Sequence, residues 1–157
     1  MKKLYVVGNK ASKSLSPTIF NYWFKKYNIK ASYGYLELTE KNFHNKIKDV
    51  LEKKDTLGLN VTIPFKNKIM KHLGKIDAHA KKIGAVNCVT NKKTINGTNT
   101  DWTGYYKTLP NIKQTKNRKV IILGYGGASH AIHYVLKKRG FKDILIFNRS
   151  KKKIKYS

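Results

Sequence analysis

The chain has 157 residues, 40% of them hydrophobic, enough to bury a core, but no apolar run long enough to span a membrane. Its formal net charge of +26 is almost all lysine spread from Lys2 to Lys155, with arginine only at Arg118, Arg139 and Arg149, which reads as solvated helix faces and argues against a specific nucleic-acid reader. A single cysteine, Cys88, excludes an internal disulfide and a cysteine-rich metal site, and the five histidines lack metal-ligand spacing, so no metal is expected and the location is expected to be cytoplasmic.

The first strand is predicted in KLYVVG, after which SKSLSPTIFNYWF begins at Ser12. Ser16 followed by Pro17 predicts an N-cap with proline at the first helical position, for a helix from Pro17 to Tyr27 that buries Ile19, Phe20, Trp23 and Phe24. Ser12 and Ser14 are not needed for that cap, and hydroxyls beside the positive end of a helix can hold an anion. Strand patterns in SYGYLEL, LGLNVTIP and AVNCVTN then alternate with helical ones over Glu40 to Lys53, Lys66 to Leu73 and Ala78 to Ile83. KKTINGTN offers an Asn-Gly turn, expected to make a hairpin or a short return. A helix follows from Asp101 through Leu109, and PNIKQTKNRK reads as a boundary dividing the chain into 1–101 and 102–157.

Beyond the boundary, KVIILGYGGASHAIHYVLKKRGFKDILIFNRS is a strand, a glycine-rich turn, an amphipathic helix, a glycine stop and a second strand. His130 and His133 fall on that helix, where surface or capping roles are expected. The fold class is therefore α/β: an N-terminal α/β domain with a mostly parallel sheet, then the first β-α-β part of a Rossmann nucleotide-binding domain. Gly124 permits the tight turn, Gly126 and Gly127 let backbone approach a pyrophosphate, and Ala128 keeps the helix close to its strand. The large Tyr125 is accommodated there if it points outward. An NAD site usually carries an acid at the end of the second strand, whereas this chain has Asn148, Arg149, Ser150 and Lys151, which suit a 2′-phosphate and point to NADP(H).

In open α/β sheets, ligands bind beyond the carboxyl ends of the strands. Asn60, Thr62, Lys66, Asn87 and Asp101 lie at such ends, where a Lys-Asp pair can move a proton at a substrate hydroxyl while Asn and Thr hold other hydroxyls in register. Each residue alone has a plainer reading as turn former, strand residue, solvated lysine or helix cap.

Taken together, SLSP, NVTIPFK, GAVNCV, NGTNTDWTG, GYGGASHAI and NRS, in this order, make the chain resemble the shikimate dehydrogenases. The resemblance implies NADPH-dependent reduction of 3-dehydroshikimate to shikimate, in the route to chorismate and the aromatic amino acids. It implies that Ser14 and Ser16 bind the substrate carboxylate, and that Lys66 and Asp101 are catalytic at the reacting hydroxyl. By the same resemblance Asn60, Thr62 and Asn87 complete the substrate site. Gly124 to Ala128, including Tyr125, form the diphosphate loop, with Asn148, Arg149 and Ser150 at the 2′-phosphate. Ser12 receives no role. Members of that family continue for roughly another hundred residues, so the chain is expected to be a fragment with little or no activity alone. The alternative is a truncated shikimate- or quinate-binding module without catalysis. No membrane or specific nucleic-acid partner is expected, and the oligomeric state, a homodimer included, is left open.

Overall fold

A computed structural model describes residues 1–110 and 118–149. The first portion runs β1 (Lys2–Gly8), a 3-10 turn (Ala11–Lys13), α1 (Ser16–Lys26), β2 (Ala31–Glu37), α2 (Phe43–Leu51), β3 (Thr56–Val61), a 3-10 turn (Lys68–His72), β4 (Lys75–Ile76), α3 (Ala78–Ile83), β5 (Cys88–Asn91) and β6 (Ile95–Thr98). It continues with α4 (Asp101–Thr108), β7 (Lys119–Leu123), α5 (Gly127–Lys138) and β8 (Asp143–Phe147). Among the described residues no helix is long and apolar enough to cross a membrane.

Six strands form one sheet in the order β2-β1-β3-β5-β6-β4. β1 pairs in parallel with both β2 and β3, and β4 with β6, while β5 runs antiparallel to β3 and β6. The central parallel strands carry apolar side chains on both faces, as strands covered on both sides must. One face holds Val7, Leu59 and Val61 against Phe43, Ile47, Val50 and Leu51, which recur at helical spacing along α2. Phe43 stacks on Phe65 with centroids 4.2 Å apart, anchoring the turn that leads into Lys66. On the other face Val6, Ala11 and Tyr33 pack with Phe20 and Phe24 of α1.

Several expectations from sequence need correction. Ser16 does not cap α1: the helix begins at Ser16 itself, Leu15 holds the cap position, and the Ser14 hydroxyl accepts the Ser16 N–H at 3.2 Å. Of the four apolar residues on that helix, Phe20 and Phe24 meet the sheet, while Ile19 and Trp23 lie exposed beside them. The Lys66 to Leu73 helix is only a 3-10 turn, and the two-residue strand β4 has no signal in the pattern. The expected hairpin is β5–β6, but it reverses through residues 92–94. Asn96 and Gly97 lie inside β6, where a Cβ on Gly97 would collide with the Leu73 side chain and come within 3.1 Å of Val86. That glycine answers to packing, not to a turn.

β7 and β8 pair in parallel as a separate two-stranded sheet, with α5 laid across one face. Ile122, Leu136 and Phe141 are buried there together with parts of Val120, Ile132, Ile144 and Ile146. The glycine stop is as expected: Gly140 has φ 88°, and Phe141 N–H donates to the Leu136 carbonyl at 3.1 Å, a glycine C-cap. The opposite face is bare, with Leu123 81% and Phe147 58% exposed and Ile121 and Leu145 beside them.

Candidate active site

Lys66 and Asp101 lie 35 residues apart and meet because β3, the turn after it and the end of β6 converge. Val86 N–H donates to the Lys66 carbonyl at 2.7 Å and Asn87 N–H to the Thr98 carbonyl at 3.1 Å, tying the three segments together. Lys66 Nζ donates to Asp101 Oδ2 at 2.5 Å, with the two side chains 13% and 31% exposed. Asn87 Nδ2 donates to the other oxygen, Asp101 Oδ1, at 2.7 Å and also reaches Thr100 Oγ1 at 2.9 Å. The carboxylate is thus held from both sides, and the partly buried pair is screened less than a surface ion pair.

Asn99 carries that arrangement and was not legible as a site residue. It is buried, its Nδ2 donates to the Ala85 carbonyl at 2.9 Å, and its Oδ1 accepts the N–H groups of Asp101 at 3.0 Å and Trp102 at 3.3 Å. The side chain therefore satisfies the first amides of α4 and fixes where Asp101 leaves the sheet. The NGTNTD spacing, with a polar residue just ahead of a helix, is the signal that marks it.

Ser14 and Ser16, between β1 and the body of α1, have their hydroxyls 3.1 Å apart. Thr62, just past β3, donates its N–H to the Val7 carbonyl at 2.8 Å and accepts Phe65 N–H at 2.9 Å, forming the turn that delivers Lys66. Tyr33, also unmarked in the sequence, is 3% exposed and donates its hydroxyl to Asn60 Oδ1 at 2.7 Å. Burial first, then the Cys88 charge, pushes its pKa up to about 12 against an opposing bond from Ser16, so the phenol stays protonated at neutral pH. Ser12 has a structural job: its N–H and hydroxyl both donate to Glu37 Oε2, which holds that carboxyl below its usual range.

The glycine-rich loop approaches the lysine directly. A Cβ on Gly127 would lie 3.1 Å from Lys66 Cδ and 3.2 Å from its Cβ, so the first turn of α5 packs on the lysine stem. Gly124 has φ 92°, a left-handed value that favours glycine, and its N–H donates to the Phe147 carbonyl at 2.7 Å. Asn148 Oδ1 accepts the Tyr125 N–H at 3.1 Å, so it braces the loop. Ala128 is exposed, so it does not press the helix onto its strand as expected, and Arg149 is exposed beyond β8, while Ser150 and Lys151 lie outside the described residues. Around Gly124 and Gly126 a Cβ would meet nothing within 4 Å, so the loop backbone borders open space that a side chain would fill. That shape, next to the N-terminus of α5, fits the diphosphate of a dinucleotide.

Tyr125 does not point outward. It is 8% exposed, tilts over His130 at 4.4 Å between centroids and brings its hydroxyl 3.4 Å from His133 Nδ1. His133 is accordingly part-buried instead of a surface residue, while His130 does take a capping role, on a neighbouring helix: its Nδ1 donates to the carbonyl of Ile83, the last residue of α3, at 3.1 Å. Burial, followed by Lys137 and His130, holds His133 below its ordinary pKa. A cleft of about 1060 Å³ runs beside the contact of α3 with α5, lined by Tyr125, Lys82 and Lys137, and of the polar cluster Lys66 lines it. Of the remaining three histidines, His44 Nδ1 lies 2.8 Å from His72 Nε2, and His79 Nδ1 lies 2.7 Å from the Tyr134 hydroxyl. Among the described residues no group of three or more His, Cys, Asp or Glu side chains converges on one point.

The family model for the shikimate dehydrogenase substrate binding domain matches residues 6–89. The chain belongs to the shikimate dehydrogenase family. It is 37% identical over 148 residues to shikimate dehydrogenase from Thermotoga petrophila, covering 94% of this chain and 55% of that one. It is 40% identical over 151 residues to shikimate dehydrogenase (NADP(+)) from Clostridium botulinum, covering 94% and 58%. The chain thus spans little more than half the length of these curated relatives. Among solved structures, shikimate dehydrogenase 1 from Peptoclostridium difficile superposes with a TM-score of 0.86 at 33% identity, over 99% of this chain and 58% of that one. The enzyme from Thermus thermophilus, solved in complex with NADP(H) and shikimate, superposes with a TM-score of 0.78 at 27% identity, over 96% and 57%.

Proposed function

We propose that the chain binds 3-dehydroshikimate and shikimate at the Lys66–Asp101 cluster and supports their NADP(H)-dependent interconversion. The observation that carries this is the carboxylate of Asp101 held between Lys66 Nζ at 2.5 Å and Asn87 Nδ2 at 2.7 Å, beside the family-typical serine pair. Lys66 and Asp101 are the catalytic residues: the ammonium gives a proton to the carbonyl oxygen as it becomes a hydroxyl, and Asp101 holds the ammonium in place. Ser14 and Ser16 take the substrate carboxylate, and Asn60, Thr62 and Asn87 take its hydroxyls. Gly124, Tyr125, Gly126, Gly127 and Ala128 border the diphosphate through backbone, with Asn148 and Arg149 toward the adenosine 2′-phosphate. The cofactor supplies the hydride when bound. Residues 1–101 form the substrate-binding portion and 102–157 the nucleotide-binding one, joined through α4.

The test is NADPH oxidation with 3-dehydroshikimate by the whole chain beside Lys66→Ala. Turnover falling at least about a hundredfold in the variant, with shikimate affinity changed far less, is expected of a proton donor. Equal losses in turnover and affinity would leave Lys66 a binding residue only. A second reading, a shikimate- or quinate-binding module without turnover, is favoured by the two-stranded β7–β8 sheet, the one β-α-β unit that the nucleotide-binding portion shows among the described residues. Binding without NADPH oxidation would select it, and parallel titrations would rank the two ligands.

A further inference from the structure

Tyr33 sits at the centre of the candidate substrate site yet belongs to none of the motifs read from the sequence. Its ring is clamped on one side by Phe20, stacked at 4.7 Å and 8° between planes. Its backbone is fixed by Asn21, which donates to the Tyr33 carbonyl at 2.8 Å and accepts its N–H at 2.9 Å. With ring and backbone both held, the hydroxyl has one place to be. It donates to Asn60 Oδ1 at 2.7 Å. An amide whose oxygen is engaged in this way presents its nitrogen to a ligand, so Asn60 is set as a donor.

We propose that Tyr33 is a positioning residue: tied to α1 through Asn21 and Phe20, its buried hydroxyl fixes the Asn60 amide on β3 at the spacing from the start of that helix at which one ligand meets both. A rigid molecule with a carboxylate at one end and hydroxyls at the other is recognised only if donors for both ends are held apart by the correct distance. Strand β2, which carries Tyr33, and strand β3 are separated by β1 in the sheet, and the phenol spans from one to the other. This rests on the shikimate reading above.

The experiment is calorimetric titration of the whole chain with shikimate. It compares the unaltered protein with Tyr33→Phe, Asn60→Ala and the double variant, with Ser14→Ala as control and thermal unfolding of each. Phenylalanine keeps the stack on Phe20 and removes only the hydroxyl. Tyr33→Phe is expected to weaken binding about tenfold, while adding it to Asn60→Ala costs nothing more. A purely structural role would instead give independent, multiplying losses, and that result, or unaltered binding by Tyr33→Phe, overturns the proposal. If the unaltered chain binds no shikimate, the functional reading fails and this one with it. If Ser14→Ala weakens binding and Tyr33→Phe does not, only Tyr33 loses its role.

Discussion

Ser14 does two things with one hydroxyl. It accepts the Ser16 N–H at the start of α1 and meets the Ser16 hydroxyl at 3.1 Å, so it both ends the helix and shapes a place for an anion. Ser14→Ala is therefore expected to lower stability by about 1 kcal/mol, the ordinary worth of a helix cap, and to weaken shikimate binding about tenfold. Denaturant unfolding and calorimetry read the two effects separately, and an affinity loss without the stability loss would mean that the capping bond contributes nothing. Gly124 poses the reverse case. Its φ of 92° leaves room for a Cβ but strains the backbone of any residue carrying one. Gly124→Ala should cost about 1–2 kcal/mol locally and reduce NADPH affinity while leaving shikimate affinity as it was. Equal loss of both ligands would show that the strain spreads beyond the loop.

Element packing places two histidines where protonation is costly. His72, at the end of the 3-10 turn after Lys66, is held below its ordinary pKa by burial first, then by His44 and Lys71. His133 on α5 is shifted the same way. With folded values depressed, the unfolded chain binds more protons than the folded one just below pH 6.5, so their contribution to stability is complete above that pH and is lost as pH falls through the folded values. Unfolding midpoints should therefore drop between about pH 6.5 and 5, and His72→Gln should flatten part of that slope. An unchanged slope would move the effect to other groups. β6 offers a packing counterpart: Gly97→Ala forces a methyl against Leu73 and Val86 and is expected to cost about 1–3 kcal/mol, read as a lower denaturation midpoint.

The molecule as a whole is uneven. The six-stranded sheet is covered on both faces by α1 and α2 with their surrounding turns, whereas the β7–β8 pair buries one face under α5 and leaves Ile121, Leu123, Leu145 and Phe147 exposed on the other. A contiguous apolar face beside strand edges that no other described strand pairs binds hydrophobic probes and invites association, and a charge of +26 opposes association until salt screens it. Association rising with ionic strength is expected, along with binding of an apolar dye. Leu123→Ser with Phe147→Ser should reduce both while shikimate affinity stays unchanged. Dye binding that survives the double change would place the sticky surface elsewhere, with α1 and its exposed Ile19 and Trp23 next to examine.

Local pattern alone carried the alternation of strands and helices, the glycine-rich turn, the glycine stop after α5 and the motifs that brought Lys66, Asp101, Asn87 and the serine pair into view. These depend on short-range chemistry: periodicity, caps and glycine conformations act within a few residues and so are written along the chain. Tertiary packing decided the rest. Ser14 took the capping bond from Ser16, Gly97 turned out to be a contact and not a turn, and Tyr125 folded back onto His130 because α5 offered it a buried bed. Tyr33 and Asn99 gained their places in the site from partners 27 and 14 residues away, Asn60 and Ala85. No local pattern can show such partners, since the hydrogen bonds that define these residues exist only once distant strands have been brought side by side.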